Sequence, residues 1–345
     1  MKLGRALLPP LWAFLIAMAA ASALILAVGG SPLAVYRLLA AGTWGNGYGI
    51  GQVLFKTTPL ILTGLSVAVA LRGGLFNIGA EGQLTVGAFL TAFVGAHAAS
   101  LPPVVAIPLA LVAGAAGGAF VAAIAGALKA WRGAHEVINT IMLNFIVRAL
   151  MVGLGARLFE REQIHTAPIA LSARLPRLSS WLSALHGSAA NASLFLAVAV
   201  ALFVAWLFAR TRIGFRIRAV GLSPAAAAAA GISVPRVQLG TMALSGAIAG
   251  LVGANFVLGY KYYYEDGFSG GIGYIGIAVA VLGRARPLGV VLAALVFGTL
   301  SQGGLAVNAV VPKEIVDVLT AVIIFAVAAA QPTVRRMLVG KEPAQ

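Results

Sequence analysis

Long uninterrupted apolar segments recur along this chain and restrict its fold more than any other feature. The segment from Leu11 to Val28, for example, contains no charged residue and is long enough to cross the apolar core of a bilayer as one helix. Only α-helices and closed β-barrels satisfy their backbone polar groups in lipid, and the alternating pattern of barrel strands is absent from this sequence. The sequence therefore predicts an all-α, polytopic integral membrane protein.

About ten apolar segments of this kind are predicted to span the membrane. Composition agrees, because 61% of the residues are hydrophobic and 10% are charged, whereas soluble domains are about 45–50% apolar and 25% charged. The third and eighth segments are the least regular. The first begins like a signal peptide, but its length favours a retained helix. The segments lie near 11–29, 53–71, 75–97, 104–128, 137–156, 192–209, 237–258, 272–283, 288–305 and 314–331.

The basic residues lie in short loops between the apolar segments, with no basic face of interleaved aromatic residues. The net charge of +15 therefore indicates membrane topology and contact with anionic lipid, and no nucleic acid partner. With the N-terminus in the cytoplasm, 15 of the 24 Lys and Arg residues fall on the cytoplasmic side. We expect cytoplasmic N- and C-termini and one transmembrane domain over residues 1–345. Its longer loops are a cytoplasmic one at 210–236 and an external one at 157–191.

The cytoplasmic loop is predicted to contain a short helix at the membrane surface. Ser223 suits the N-cap, and Pro224 suits the first helical position, where a missing N–H costs nothing. The six alanines that follow favour the helix most strongly, and Gly231 suits a left-handed C-terminal cap. A helix of about two turns is marginal alone in water. It must therefore pack on the protein's own spans or dock on a cytosolic partner.

Three separated segments resemble one family. Residues 214–232 look like the coupling loop of ABC importer permeases of the branched-chain amino acid, simple sugar and nucleoside group. Residues 74–83, which read Gly-Leu-Phe-Asn-Ile-Gly-Ala-Glu-Gly-Gln, are similar to a signature of the nucleoside-type branch. Residues 135–144, His-Glu-Val-Ile-Asn-Thr-Ile-Met-Leu-Asn, resemble a second signature of that branch. The similarity extends from about residue 50 to 330.

The resemblance implies a bacterial cytoplasmic-membrane permease that moves nucleoside-like solutes by alternating access. Simple sugars and branched-chain amino acids are the alternative solutes. The implied partners are a second permease subunit, as a homo- or heterodimer, two cytosolic ATPase subunits that bind ATP and Mg, and an extracytoplasmic solute-binding lipoprotein. No cofactor is implied in this chain, and it contains no Gly-x-x-x-x-Gly-Lys-Ser/Thr loop for nucleotide phosphates. The residues predicted to couple to the ATPase are Arg216, Arg218, Ser223, Pro224, Ala225, Ala226, Ala228 and Gly231.

Polar and aromatic residues within the apolar segments are candidates for a solute path, because polar groups are costly in lipid and tend to face a cavity. Glycine-broken segments often mark discontinuous helices at transporter sites. Instead of lining a path, Glu81 has the alternative roles of forming an ion pair with Arg72 or capping a helix. The alternative role of Asn139 and Asn144 is hydrogen bonding to neighbouring helices. The candidates are Phe76, Asn77, Glu81, Gln83, Asn139, Asn144 and Tyr274.

Two further patterns concern the same path. Asn139, Asn144 and Arg148 are five and four residues apart and share one helical side, and Arg148 is expected to find a partner, to extend to the interface or to contact solute. Residues 266–274 echo residues 74–82 in the opposite direction, as an inverted repeat would. In that arrangement Phe76 and Tyr274 flank a planar base, whereas packing between helices is the simpler role for both rings.

The residue patterns do not indicate an enzyme. Cysteine is absent, the four histidines lack metal-ligand spacing, and no Gly-x-Ser-x-Gly elbow occurs. The competing class is an ion- or proton-coupled secondary transporter with Glu81 as the proton carrier, which would transport without an ATPase. A passive channel would need a carbonyl-lined filter or a ring of like charges, and neither is visible in the sequence.

Overall fold

A computed structural model describes residues 18–27, 29–160, 162–308 and 318. These residues form helices and isolated β-bridges but no β-strand, in agreement with the predicted all-α class. The chain divides into two compact units, residues 1–50 with 299–345, and residues 51–298. The helices are α1 (Met18–Ala27), α2 (Pro32–Thr43), α3 (Gly47–Arg72), α4 (Ala80–Ala96), α5 (Pro103–Arg132), α6 (Glu136–Leu158), α7 (Ser193–Arg210), α8 (Arg212–Leu222), α9 (Pro224–Ala229), α10 (Val234–Gly250), α11 (Ile272–Leu282) and α12 (Pro287–Val307).

Shorter helical segments complete the described chain. Three 3₁₀ helices, Leu171–Ala173, Leu178–Ser180 and Ser183–Leu185, lie between α6 and α7. A π-helix, Ala254–Lys261, extends α10. Single π-helical turns are frequent at functional sites, since they break the regular helical register.

Within the described residues, six helices are long and apolar enough to cross a membrane: α3, α5, α6, α7, α10 with its π-helical extension, and α12. They coincide with six of the predicted segments. The predicted segments 75–97 and 272–283 contain α4 and α11, which have 17 and 11 residues. Segment 314–331 lies outside the described residues except for Val318, and segment 11–29 is described only in part. The count of ten and the cytoplasmic position of both termini therefore stay predictions.

Helix α3 ends at a left-handed glycine. Gly74 has φ +71°; its N–H donates to the Leu71 carbonyl (3.1 Å), and the Leu75 N–H donates to the Ala70 carbonyl (3.0 Å). This pair of bonds is the Schellman motif, which favours glycine at the left-handed position. The chain then runs without helical structure through residues 75–79 until α4 begins.

Helices α4, α5 and α10 pack with their backbones close together. A Cβ added at Gly118 in α5 would lie 2.1 Å from the carbonyl oxygen of Gly246 in α10, so both helices need glycine here. Close approach through small residues is how membrane helices gain packing without a hydrophobic driving force. These three helices therefore form a tightly packed frame in the 51–298 unit.

The loops of the 51–298 unit gather at its two ends. At one end the 159–192 loop pairs with residues 262–266: the N–H of Thr166 donates to the Tyr264 carbonyl (2.9 Å), and that of Ile169 donates to the Tyr262 carbonyl (2.7 Å). At the other end α8 and α9 lie against the end of α3 and the start of α10. The predicted loops 157–191 and 210–236 thus occupy different ends of this unit. Which end faces the cytoplasm stays a prediction.

Helices α8 and α9 both begin at a capping hydroxyl. The Thr211 Oγ1 accepts a hydrogen bond from the Gly214 N–H (3.0 Å), and the Ser223 Oγ accepts one from the Ala226 N–H (3.2 Å). Helix α9 ends before Gly231, whose φ is +78°. The short capped helix predicted after Ser223 is confirmed, whereas α8 was not predicted.

The unit of residues 1–50 and 299–345 has its own small core. Helices α1 and α2 are bent by 118° relative to each other. The Tyr36 hydroxyl donates to the Met18 carbonyl (2.9 Å) and lies 3.0 Å from the Ser22 hydroxyl. The buried apolar residues of this core are Ala21, Ile25, Val35 and Val307.

Candidate functional site

A cavity of about 400 Å³ lies where the start of α4 meets the start of α11. Its volume falls within the range of about 300–1,000 Å³ that is usual for small-molecule sites. Helices α4, α6 and α11 and the 266–271 loop form its wall. The lining residues are Glu81, Gly82, Thr85, Asn144, Phe145, Val147, Arg148, Asp266, Gly267, Phe268, Ser269, Gly270, Gly271 and Tyr274.

Glu81 links the two helix starts at this cavity. Its Oε2 accepts a hydrogen bond from the Gly273 N–H (2.8 Å), and its Oε1 accepts one from the Ser269 hydroxyl. A Cβ at Gly273 would lie 2.6 Å from Oε2, so only glycine lets α11 approach this closely. A carboxylate is stabilised there because the first N–H groups of a helix have no partner within the helix. Glu81 therefore caps α11, while the Arg72 Nε donates to the Ala285 carbonyl (2.9 Å).

Asn144 joins α6 to α4 and to the ring of Tyr274. Its Oδ1 accepts from the Gly82 N–H (2.9 Å), and its Nδ2 donates to the Ile78 carbonyl (3.0 Å) and to the Tyr274 hydroxyl (3.3 Å). Tyr274 lines the cavity and stays 47% exposed while its hydroxyl is held by Asn144. The structure thus brings together three predicted path residues, Glu81, Asn144 and Tyr274.

Asn77 and Gln83 are fully buried and are not among the residues that line the cavity. Their amides form a reciprocal pair: the Asn77 Nδ2 donates to the Gln83 Oε1 (2.8 Å), and the Gln83 Nε2 donates to the Asn77 Oδ1 (2.9 Å). The Asn77 Nδ2 also donates to the Ser245 hydroxyl of α10 (2.8 Å), which in turn donates to the Ser66 carbonyl of α3 (2.7 Å). These two amides therefore fix the start of α4 between α3 and α10.

Phe76 and Asn139 are not among the cavity-lining residues of the described chain. The buried Asn139 Nδ2 has no hydrogen-bond partner among the described residues. This cavity therefore does not place Phe76 opposite Tyr274; the other aromatic rings in its wall are Phe145 and Phe268. Sequence reasoning missed both, because phenylalanine within an apolar segment carries no signal that separates a cavity wall from lipid contact.

Within the described residues, no three His, Asp or Glu side chains come together to hold a metal. Arg148 and Asp266 are the oppositely charged groups that line the cavity beside Glu81. The cavity therefore offers aromatic rings, a carboxylate that already accepts hydrogen bonds, and further charged and amide groups. Such a mixture suits a small polar solute with a planar or apolar part.

A second concave surface, of about 490 Å³, lies along α8 and α9. We name it the α8–α9 groove. Its rim carries exposed apolar side chains, of which Phe215 is 60% and Leu222 is 88% exposed. The lining residues are Arg212, Phe215, Arg216, Ala219, Leu222, Ser223, Ala226, Ala227, Ala230 and Ile232.

The predicted coupling residues distribute around this groove. Three of them line it, namely Arg216, Ser223 and Ala226. The Arg218 Nε instead donates to the Gly214 carbonyl one turn earlier (3.4 Å). The others, Pro224, Ala225, Ala228 and Gly231, are exposed on or beside α9.

Comparison with known proteins adds the family. Residues 49–328 match the family described as branched-chain amino acid transport system / permease component. The nucleoside ABC transporter permease protein NupB of Lactococcus lactis subsp. cremoris is 37% identical over 94% of this chain and 91% of its own length. The guanosine ABC transporter permease protein NupP of Bacillus subtilis is 38% identical over 97% of this chain and 96% of its own length.

Other relatives extend the comparison. The glucose ABC transporter permease protein TsgB13 of Haloferax volcanii is 33% identical over 91% of this chain and 85% of its own length. Lactococcus lactis and Bacillus subtilis each also have a second matching permease protein, NupC and NupQ, at 28% identity over 73% and 72% of this chain. The family match covers most of the chain and agrees with six apolar spanning helices in the described residues. The chain therefore belongs to the branched-chain amino acid transport system permease family and is a multi-pass membrane protein.

Proposed function

We propose that this chain is the membrane-spanning permease subunit of an ATP-driven importer for nucleosides in a bacterial cytoplasmic membrane. The observation that carries the proposal is the identity of 37–38% over nearly the full length of two nucleoside and guanosine permeases. Glucose is the second candidate solute, because a glucose permease is 33% identical over 91% of the chain.

The cavity supports a solute with a ring and hydroxyl groups. Tyr274 and Phe268 offer faces for a nucleobase, since aromatic stacking tolerates any base. Glu81 and Asn144 offer hydrogen-bonding groups for sugar hydroxyls, and carboxylates accept several hydrogen bonds at once. In this proposal Asn77 and Gln83 act on the path by holding the start of α4 and do not contact the solute.

The position of the cavity supports alternating access. Helix α4 begins at the cavity and runs toward the 159–192 loop, and α11 begins there and ends close to Arg72 at the opposite end of the unit. Discontinuous helices that start near the midplane commonly line transporter sites. Movement of either helix start would change access to the cavity from one side.

The assembly that we propose contains three kinds of partner. A second, different permease subunit is supported by the two permeases that match in each of two organisms. Two cytosolic ATPase subunits bind ATP and Mg, and one of them would dock at the α8–α9 groove of this chain. An extracytoplasmic solute-binding lipoprotein would dock at the end that carries the 159–192 loop.

The proposed function is tested by reconstitution in lipid vesicles with the second permease, the ATPase subunits and the lipoprotein. We expect uptake of radiolabelled guanosine or adenosine that requires internal ATP and every partner, with little uptake of glucose or leucine. Uptake of glucose alone would favour the second candidate. Uptake by this chain alone, driven by a pH gradient, would contradict the proposal and favour a secondary transporter with Glu81 as carrier.

A further inference from the structure

The last turn of α8 lies directly on the backbone that follows α3. A Cβ added at Gly221 would lie 2.2 Å from the Arg72 carbonyl oxygen and 2.9 Å from the Gly74 nitrogen. In the reverse direction, a Cβ at Gly74 would lie 3.0 Å from the Gly221 Cα. No side chain separates the two segments, so a displacement of α8 presses on the other backbone without the slack of rotamers.

The segment that receives this contact leads to the cavity within a few residues. Gly74 is fixed by the Schellman motif at the end of α3. Residues 75–79 have no helical structure and connect Gly74 directly to the start of α4. At their centre Asn77 is bonded to Gln83 of α4, so a shift of the segment moves the first turn of α4 with it.

The first turn of α4 carries the groups that bound the cavity. Glu81 accepts hydrogen bonds from Ser269 and Gly273 at the start of α11, and the Gly82 N–H donates to Asn144. A small movement here breaks or remakes bonds to both α6 and α11. Closely packed contacts of this kind switch between discrete arrangements and do not deform continuously.

We propose that Gly221 is a positioning residue that transmits movement of α8 and α9 through residues 73–81 to the Glu81 contact with α11. The proposal rests on the proposed function, because it gives α8 and α9 a motor to respond to. It adds a specific contact, Gly221 on Gly73 and Gly74, and a specific route of nine residues to the cavity. We therefore expect that separating the backbone at Gly221 from the backbone at Gly73 and Gly74 uncouples ATP hydrolysis from solute movement.

The test uses Gly221→Ala in the reconstituted complex with all partners. The added methyl must push α8 away from the Arg72 carbonyl. We expect assembly and ATP hydrolysis to persist while uptake per ATP hydrolysed falls about tenfold, an effect within the range seen for changes along coupled contacts. The matched control is Gly240→Ala in α10, where an added Cβ meets no atom within 4 Å, and we expect it to transport normally.

A labelling readout separates lost coupling from a merely altered structure. The chain has no cysteine, so Thr85→Cys places a single thiol in the cavity wall. We expect ATP to change its rate of reaction with a maleimide in the otherwise unchanged chain and in Gly240→Ala, but not in Gly221→Ala. If ATP changed the rate of the maleimide reaction equally in Gly221→Ala, and uptake by that variant were normal, the proposed role of Gly221 would be wrong.

Hydrogen–deuterium exchange on the unsubstituted complex provides a test that no folding defect can obscure. We expect ATP to alter exchange in residues 73–79 together with residues 212–230. A change in 212–230 with none in 73–79 would overturn the proposal. If the unsubstituted complex shows no ATP-driven nucleoside uptake, the proposed function is wrong. If both the unsubstituted complex and the Gly221→Ala variant take up nucleoside normally, only the proposed role of Gly221 is wrong.

Discussion

At the scale of single residues, buried amides in this protein work as connectors. Asn77 and Gln83 are completely buried, and each amide alone would carry a desolvation cost of about 1–3 kcal/mol without a partner. Paired with each other and with Ser245, they satisfy these groups and tie the start of α4 to two neighbouring helices. Asn144 does the same from α6, with one side chain that joins three segments.

Asn77→Ala should therefore destabilise the protein. The substitution leaves both polar atoms of the Gln83 amide without their partner, and it removes the acceptor of the Gly79 N–H. We expect a loss of about 1–3 kcal/mol, measured as a lower unfolding temperature of the purified chain in detergent. Gln163→Ala, which removes an exposed amide in the 159–192 loop, serves as the control. Equal unfolding temperatures for the two variants would contradict a connecting role for Asn77.

At the scale of elements, α9 shows how a very short helix persists. Its N-terminus is capped by Ser223, and its C-terminus is closed by the Gly231 and Ile232 N–H groups, which donate to Ala228 and Ala227 (both 2.9 Å). An N-terminal cap of this kind contributes about 1 kcal/mol, which matters in a helix too short to be stable alone. Only Ala227 is buried among its alanines, so most of the helix surface is free for a partner.

The double substitution Ala226→Glu and Ala228→Glu should uncouple transport from ATP hydrolysis without disturbing insertion of the chain into the membrane. Both positions are exposed, so the new side chains fit the chain itself, but they add charge and bulk to a surface built of methyl groups. We expect solute-stimulated ATP hydrolysis by the reconstituted complex to be lost. Ala226→Ser with Ala228→Ser keeps the small size and should preserve it. Normal stimulation in the glutamate variant would remove the basis for docking at α9.

At the scale of the whole molecule, charge is distributed unequally between the ends of the 51–298 unit. The end with α8 and α9 carries most of its arginines, among them Arg210, Arg212, Arg216 and Arg218. Basic loops of multi-pass proteins remain on the cytoplasmic side. The 159–192 loop at the other end has mixed charge. This asymmetry supports a cytoplasmic position for the α8–α9 groove.

Single cysteines in this cysteine-free chain test the orientation in cells. We expect Ala229→Cys, exposed on α9, to react with a membrane-impermeant maleimide only after the cells are opened. Ser183→Cys, in the 159–192 loop, should react in intact cells because positive-inside topology leaves that loop outside. Labelling of Ala229→Cys from outside would exclude contact between the α8–α9 groove and a cytosolic ATPase.

Much of the fold follows from local sequence. Apolar segments specify spanning helices because each helix satisfies its own backbone in lipid, and this holds for the six spans in the described residues. The helix after Ser223 was predicted for a similar reason, since its caps lie within a few residues of each other. Helix α8 was not predicted because its glycines and alternating arginines weaken the helical pattern. Its residues Ile217 and Val220 are buried by tertiary contacts, which the local sequence does not indicate.

The sequence by itself determined the all-helical membrane class, the short capped helix and the residues that resemble a permease family. Only the tertiary structure decided which polar residues form the cavity, because its bonds join distant parts of the chain. Glu81 meets Ser269 and Gly273, which are 188 and 192 positions away, and Asn77 meets Ser245, 168 positions away. Local patterns reflect contacts within a turn or two, whereas these pairings depend on how α4, α10 and α11 pack together.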